Sequence, residues 1–425
     1  MFTKSASWYR RRGYPHFDLP IGLTKALRIV TDPKKVSRHS FYPFISFLVK
    51  SSKVRWNDGS NALEKKTKER PIAYAAHVDT HIYAYYSSRL ANLYEQALIR
   101  NALDQCVIAF RSLGRSNIEF AASAFAEIKK RSECHVICLD IQGFFNNLDH
   151  GLLKSAWTKL IGTHRLPEDH YAVFKSLTRY STVDRDALYS HLGLSLNNRL
   201  SCPRRLCSPA EFRDKIRAGN LIKTHRDTKG IPQGSPISAV LSNIYMFEFD
   251  FVVKNYMNSI GGTYFRYCDD MLLIVPPEAK SAAKAFAESE IKKLGLSVQD
   301  EKTECVDFHM REGKLSASKP MQYLGFLFDG QRIILRSASL ARYADRMKRG
   351  IKFAKATMKK RNFARVARGE APKPLFRSQI YKRYTYLGRR NFVSYGYRAA
   401  RVMDSAPIRK QLKKLWKKAQ AEIAA

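Results

Sequence analysis

The sequence predicts an α+β fold built on a small antiparallel sheet. Two short apolar runs, His135 to Asp140 and Met271 to Val275, read as buried strands. Longer stretches with apolar residues at helical spacing, among them 78–112, 238–254 and 278–294, read as helices that cover them. Helices packed on a small sheet with a strand hairpin at its centre form an α+β plan.

Taken in order, residues 1–50 read as loops and short helices. Residues 51–70 are polar and charged and predict a mobile hairpin or loop. A helix over 78–112 follows, and then the strand ending at Asp140. Asp149 stands where an N-cap is needed for a helix over Leu152 to Leu160. Residues 161–228 form a polar, helical insert. Ser238 to Lys254 reads as one helix. Thr263 to Arg266, a turn and Met271 to Val275 make a hairpin. Glu278 to Leu294 is helical, Gln322 to Phe328 is a strand, and Arg332 to Leu335 pairs with it. Residues 340–420 are helical and basic.

Composition narrows the function. A chain of 425 residues with 45% hydrophobic residues supports two or three packed sub-domains. The longest apolar stretches, such as Phe41 to Val49, fall far short of the ~20 residues of a membrane span, so no membrane partner is expected. The N-terminal MFTKSASWYRRRGYPHF lacks the apolar core of a secretory signal. Seven cysteines at irregular spacing fit reduced thiols, and a cytoplasmic location is expected. The 75 Lys and Arg against 37 Asp and Glu, a net charge of +38, point to a polyanionic partner, nucleic acid before all others. The excess concentrates from Gln331 to Ala425, where 27 basic residues face four acids with Tyr, Phe and Trp interspersed. That mixture suits backbone tracking with stacking, and equally a solvated helix face with core aromatics.

Three segments carry chemistry. In Phe265-Arg-Tyr-Cys-Asp-Asp-Met-Leu-Leu-Ile-Val275, Asp269 and Asp270 fall at a hairpin tip between apolar strands, where two charges call for a cation. An ordinary polar turn would look the same in isolation. Asp140 closes a second apolar strand. Three carboxylates at neighbouring strand ends make a hard-oxygen site suited to Mg²⁺. Two such ions about 4 Å apart activate a hydroxyl nucleophile and stabilise a leaving pyrophosphate. The third segment, Lys229-Gly-Ile-Pro-Gln-Gly-Ser-Pro-Ile-Ser238, has a backbone constrained by Gly and Pro, with amides free to approach a nucleotide or template.

These segments, in this order, resemble the motif series of reverse transcriptases: Asp140 with Phe144-Phe145, then GIPQGSPIS, then Tyr-Cys-Asp-Asp, then Gly295 to Thr303, then Tyr323-Leu-Gly-Phe326. Lys68-Glu-Arg-Pro-Ile72 resembles a fingers motif upstream. The likeness spans roughly 65–330 and is strongest to the bacterial group with retron and group II intron enzymes. It implies a right-hand polymerase: an N-terminal segment and fingers at 1–130, a palm at 131–330 with an insert at about 151–228, and a basic helical thumb at 331–425. Asp140, Asp269 and Asp270 would hold two Mg²⁺ ions (Mn²⁺ as substitute), with the Ile141 carbonyl as a further ligand. Phe145 would be the steric gate against a ribose 2′-hydroxyl. Gln233 and Gly234 would meet the incoming nucleotide or template, Arg70 with Lys68 the dNTP triphosphate, and Lys302 the departing pyrophosphate. Tyr323, Leu324, Gly325 and Phe326 would form the primer grip. Lys413, Lys414, Lys417 and Lys418 would bind nucleic-acid phosphates.

Finer likenesses at 81–90, 206–213 and 241–246 resemble defence-associated reverse transcriptases, type 2 systems above all. These imply a structured noncoding RNA as template or scaffold, a cDNA product, and a role in anti-phage defence; protein partners are not indicated. Four other readings stay open. An RNA-dependent RNA polymerase is disfavoured by Phe145, since such enzymes place an Asp there. An untemplated or protein-primed DNA polymerase of the abortive-infection type would share the same palm. A catalytically idle RNA-binding scaffold is disfavoured by the intact aspartates, and an intron maturase by the lack of a zinc endonuclease or maturase-like extension after the expected thumb. Cys202, Cys207 and His225 do not form a recognised zinc spacing, and His77 with His81 lack a third ligand.

Overall fold

The computed structural model describes residues 7–57, 59, 61–197 and 204–425. At its centre lies a five-stranded antiparallel sheet of β3 (Cys134–Asp140), β6 (Thr263–Tyr267), β7 (Asp270–Val275), β8 (Glu304–Arg311) and β9 (Lys314–Ala317), in the order β6-β7-β3-β8-β9. Side chains alternate faces along a strand, and here both faces are buried. Ile137, Leu139, Met271, Leu273 and Val275 join a core shared with helices Ser238–Tyr245, Phe247–Ser259 and Lys280–Lys293. Val136, Leu272, Ile274, Val306 and Phe308 join a second core on the opposite face, with helix Asn117–Arg131. Double burial explains why β7 reads as a continuous apolar run rather than an alternating one.

A second sheet has the order β2-β1-β4-β5: β1 (Phe44–Asn57), β2 (Ala62–Tyr74), β4 (Ser181–Asp184) and β5 (Ile222–Thr224). The stretch 51–70, expected as a mobile hairpin or loop, is a paired hairpin of β1 and β2, with register from Ile45↔Tyr74 to Asn57↔Ala62. The insert does not stand apart. Its β4 runs parallel to β1 through Phe44↔Thr182 to Ser46↔Asp184. Helix His77–Arg100 follows β2, and Asp18 caps it from far upstream by accepting from the His77 and Val78 amides at 2.8 and 2.9 Å. His77 and His81 are packing residues here, stacked on Tyr14 and Tyr9 with centroids 5.0 and 4.9 Å apart.

Three expectations needed correction. The helix read over 78–112 ends at Arg100. The stretch 238–254 is two helices meeting at Met246. The strand expected over 322–328 is a tight hairpin of β10 (Met321–Tyr323) and β11 (Phe326–Phe328), with β12 (Ile333–Leu335) alongside as expected. Helix Asn117–Arg131 is closed by a Ser116–Glu119 capping box that the sequence reading passed over. The Asp149 cap is present, accepting from the Gly151 and Leu152 amides at 2.8 and 3.0 Å.

The basic C-terminal region folds into helices Ser337–Val366, Arg377–Tyr384, Phe392–Val402 and Ala406–Ala424. Their apolar stripes, including Met347, Ile351, Leu412 and Leu415, continue the second core. The Gln411 side chain exchanges two hydrogen bonds with the Leu335 backbone, at 2.9 and 3.1 Å, and ties the last helix to β12. No helix among the described residues is long and apolar enough to cross a membrane.

Candidate active site

The site forms where β3 and β7 end together. Their antiparallel register places Asp140 directly opposite Asp270, and Asp269 occupies the β6–β7 turn. Like charges directly opposed across strands destabilise a sheet. The consequence shows in Asp270, whose carboxyl is pushed up to about 7, first by desolvation in the cleft and then by the charges of Asp269 and Asp140. Its outer edge is nevertheless open to solvent.

Lys302 answers part of this negative charge. It rides on a short 3₁₀ turn, Asp300–Lys302, and its Nζ lies 2.5 Å from Asp140 Oδ1. The segment before it crosses the end of β3: the Gln299 amide donates to the Asp140 carbonyl at 2.8 Å, and the Gln142 amide to the Ser297 carbonyl at 2.9 Å. Those bonds use the strand edge facing 297–299. The Ile141 amide points the other way and donates to the Asp269 carbonyl at 3.4 Å. A strand residue's N–H and C=O share a side, so the Ile141 carbonyl also faces the aspartate turn.

Among the described residues, no three His, Cys, Asp or Glu side chains are grouped so as to hold a metal ion, and Asp140 is turned onto Lys302. The donor set still fits divalent cations: hard carboxylate oxygens, mutually repelling, with a backbone carbonyl beside them.

The turn itself is held from beneath. Cys268 has φ 61°, a left-handed conformation that favours glycine, in the position where a type II′ hairpin turn takes one. Burial, then the charge of Asp269, pushes its thiol up. Arg266, fully buried, donates from Nη1 to the Cys268 carbonyl and to Asn243 Oδ1, both at 3.1 Å. Its Nε and Nη2 grip the buried Asp250 at 2.7 and 2.5 Å, and Tyr264 donates to the same carboxylate at 2.7 Å. Sequence reasoning missed this network. Its signals were an arginine inside an apolar strand and an aspartate between Phe249 and Phe251 in a helix.

The Gly/Pro loop is stitched to two neighbours. The Gly230 and Ile231 amides donate to the Leu148 and Phe145 carbonyls at 2.8 and 2.9 Å, and the Gln233 carbonyl accepts from the Ala73 amide at 2.9 Å. A Cβ on Gly234 (φ +117°) would lie 2.4 Å from the Ala73 carbonyl oxygen, so no other residue fits there. Ile72 packs against this glycine, and Lys68 and Arg70 share its face of β2, both exposed. Phe144 is buried in the core, whereas Phe145 is only half-buried beside it, with centroids 5.6 Å apart.

At the Tyr323–Phe326 turn, Leu324 (φ 46°) and Gly325 (φ 96°) are both left-handed, and Asn117 Nδ2 donates to the Leu324 carbonyl at 2.9 Å. The Tyr323 hydroxyl is buried with no hydrogen-bond partner among the described residues. Lys413, Lys414, Lys417 and Lys418 are exposed on one face of the last helix, opposite the buried Leu412, Leu415 and Ala419. Cys202 lies outside the described residues, Cys207 is buried, and His225 stacks on Tyr180.

Residues 63–328 match the family described as reverse transcriptase (RNA-dependent DNA polymerase). Over 74 residues the chain is 35% identical to the retron Ec86 reverse transcriptase of Escherichia coli; the match covers 17% of this chain and 23% of that protein. Among solved structures, the chain is similar to apo telomerase from Candida tropicalis (TM-score 0.45, 11% identity, 95% of this chain and 63% of that one). It is also similar to the RNA-dependent RNA polymerase of a human picobirnavirus (TM-score 0.44, 9% identity, 89% of this chain and 56% of that one). With the family matched over well more than half its length, and with an α+β fold of the right-hand polymerase class, the chain belongs to the reverse transcriptase (RNA-dependent DNA polymerase) family.

Proposed function

We propose that this protein is an RNA-templated DNA polymerase working by two-metal-ion nucleotidyl transfer. The observation that carries this reading is the register that sets Asp140 against Asp270, with Asp269 in the adjoining turn. Asp140, Asp269, Asp270 and the Ile141 carbonyl would hold two Mg²⁺ ions, with Mn²⁺ as substitute. When bound, such ions lower the pKa of a primer hydroxyl and neutralise charge on the transferring phosphate.

The chain's own residues do the remaining work of binding and orientation. Lys302 exchanges its bond with Asp140 for the leaving pyrophosphate and can hand it a proton. Arg70 and Lys68 bind the dNTP triphosphate. Gln233 and Gly234, held against β2, fix the base pair being formed. Phe145 fills the space a 2′-hydroxyl would need, with its backbone pinned by Ile231. The Tyr323 to Phe326 turn seats the primer end, and the lysines of the last helix hold phosphates of the template–primer. The domain division at 1–130, 131–330 with its insert, and 331–425 accompanies these roles as fingers, palm and thumb. The retron likeness and the net charge of +38 support a structured noncoding RNA as the template and cDNA as the product. Copying it in anti-phage defence, in the cytoplasm, completes the proposal.

The test is incorporation of dNTPs on an RNA template with a DNA primer, with product sequencing. Wild type should require Mg²⁺ or Mn²⁺ and copy the template sequence. The Asp269→Ala, Asp270→Ala double variant should keep the wild-type circular dichroism spectrum and lose incorporation. Undiminished synthesis by that folded variant would overturn the assignment, and a product unrelated to the template would replace it with an untemplated polymerase.

A further inference from the structure

Behind the aspartate hairpin, β6 is an edge strand, and its outer side is covered only in part. The Arg266 amide donates to the Cys106 carbonyl and the Ile108 amide to the Arg266 carbonyl, at 2.8 and 3.0 Å. Backbone groups of alternate residues in a strand share a side, so the N–H and C=O of Tyr264 also point outward. Among the described residues neither has a hydrogen-bond partner, although Tyr264 is fully buried. Buried backbone donors and acceptors are nearly always paired.

That edge opens on a cavity of about 480 Å³, a volume that suits a small organic ligand. Helix Asn117–Arg131 lines it with Phe120 and Ser123, helix Phe247–Ser259 with Lys254, and the 104–115 segment with Asp104 and Arg115. Phe265 adds a second ring. Two of the charges at the cavity are already answered: Glu127 by Arg131 and Thr263 at 2.9 and 3.0 Å, and Arg111 by Glu95 at 2.7 Å. Lys254 and Arg115 have no ion-pair partner among the described residues. Asp104 accepts from Gln105 Nε2 through Oδ2 at 2.7 Å and has its other oxygen to offer.

We propose that this cavity is a second nucleotide site, with the base edge on the Tyr264 N–H and C=O, the phosphate on Lys254 and Arg115, and a ribose hydroxyl on Asp104. A nucleobase edge carries a donor beside an acceptor, on a flat ring that packs against aromatic side chains. Ammonium and guanidinium groups bind phosphate through charge-assisted hydrogen bonds, and a carboxylate accepts from ribose hydroxyls. A peptide strand fits less well. Strand addition draws its affinity from a row of main-chain bonds, and here the open row is one residue long. The 106–108 segment occupies the edge at Arg266, and the Gly262 amide is taken by the Met257 carbonyl at 2.6 Å. None of Asp140, Asp269 and Asp270 lines the cavity, so the assignment stands apart from the polymerase reading.

The test is equilibrium binding of AMP and of adenosine to the full chain in EDTA, which removes any binding through divalent cations at the aspartates. Wild type should bind both. Lys254→Gln should weaken AMP about 10- to 100-fold, the range for a lost hydrogen bond to a charged group, and leave adenosine unchanged. Ser123→Trp, which fills the cavity from an exposed helix position, should abolish binding of both without lowering the melting temperature. Arg115→Gln, also at an exposed position, should weaken AMP alone and carries the test if Ser123→Trp does not fold. Wild type that binds no AMP at millimolar concentration would overturn the proposal. So would AMP binding that is undiminished in Lys254→Gln and Arg115→Gln, or that is lost instead in a Lys68→Gln, Arg70→Gln variant. Inorganic phosphate that displaces AMP at equal concentration would also overturn it, since the site would then hold an anion without reading a base.

Discussion

Removing Arg266 should separate stability from catalysis. The guanidinium is fully buried and makes four hydrogen bonds: two to Asp250, one to Asn243 and one to the Cys268 carbonyl. Arg266→Met leaves the Asp250 carboxylate buried with Tyr264 as its remaining donor. Breaking a buried pair by removing one partner costs about 3–5 kcal/mol. With an unfolding entropy of about 2 cal/mol/K per residue, a 425-residue chain melting as one unit should lose about 3–6 °C. Burial already pushes the Asp250 carboxyl up, and Arg266 and Tyr264 pull it back down. Without Arg266 the folded state holds that proton more tightly than the unfolded state. Variant stability should therefore be greatest in mild acid and fall as pH rises through the folded-state pKa. The Cys268 turn also loses its anchor, and misplacement of about 1 Å at the reacting centre can cost 100-fold in rate. The double variant Arg266→Met, Asp250→Leu removes both charges and should recover the melting temperature, as apolar replacements of buried ion pairs do. It should not recover kcat for single-nucleotide addition, because the Cys268 carbonyl still lacks its donor. Thermal melts across pH and single-turnover incorporation read both effects. A single variant with wild-type melting and rate, or a double variant that regains full kcat, would refute the reasoning.

Three other predictions follow from the same geometry. Phe145→Ala should raise the ratio of rNTP to dNTP incorporation in a competition assay; an unchanged ratio in an active variant would remove Phe145 as the gate, and the buried Phe144 offers no substitute. Tyr323→Phe deletes a buried hydroxyl without a partner among the described residues, so a melt should show stability unchanged or raised by up to about 1–3 kcal/mol, where a loss would reveal a partner in solution. Replacing Lys413, Lys414, Lys417 and Lys418 with Gln should flatten the salt dependence of duplex binding by up to about 0.9 per phosphate contact and shorten cDNA, with little change in single-nucleotide addition. Equal salt slopes and product lengths would detach that helix face from nucleic acid.

What could be read from the chain was whatever local pattern determines. Asp140 and Asp269-Asp270 stand at the ends of apolar runs, and the two-residue turn between β6 and β7 makes the Asp269-Asp270 tip local, whereas the β3–β7 pairing that sets Asp140 opposite Asp270 is long-range and was suggested by the order of the motifs. The Asp149 cap and the lysine face of the last helix are equally local. The β1–β2 ribbon was legible only as a hairpin or loop, because its sequence from Lys50 to Arg70 is mostly polar and charged and carries little apolar alternation to fix a register. The insert's attachment was hidden for another reason. Its β4 pairs with β1 across more than a hundred residues, and three-residue registers leave little periodicity. Arg266 escaped notice because a lone charge in a strand reads as an exposed position; its burial depends on Asp250, on a separate helix.

These omissions share a physical cause that bears on how the site works. Each turn proposed to be catalytic or substrate-facing holds a fixed backbone carbonyl: Leu324 by Asn117, Gln233 by the Ala73 amide, and Cys268 by Arg266, which is two residues away but is itself held by Asp250 of another helix. Two of those carbonyls belong to non-glycine residues with positive φ, a conformation that costs about 1–3 kcal/mol and persists only where its surroundings over-determine it. On the proposed function, the turn residues would supply the chemistry and the anchors the placement. Asn117 sits at a helix start and Ala73 on the ribbon edge, and Arg266 depends on Asp250 of a separate helix, so no single segment of sequence contains a whole anchored turn. A phosphoryl-transfer site depends on placement more than on reactive groups. The residues that most affect its rate should then include buried, non-contacting ones, of which Arg266 is the foremost.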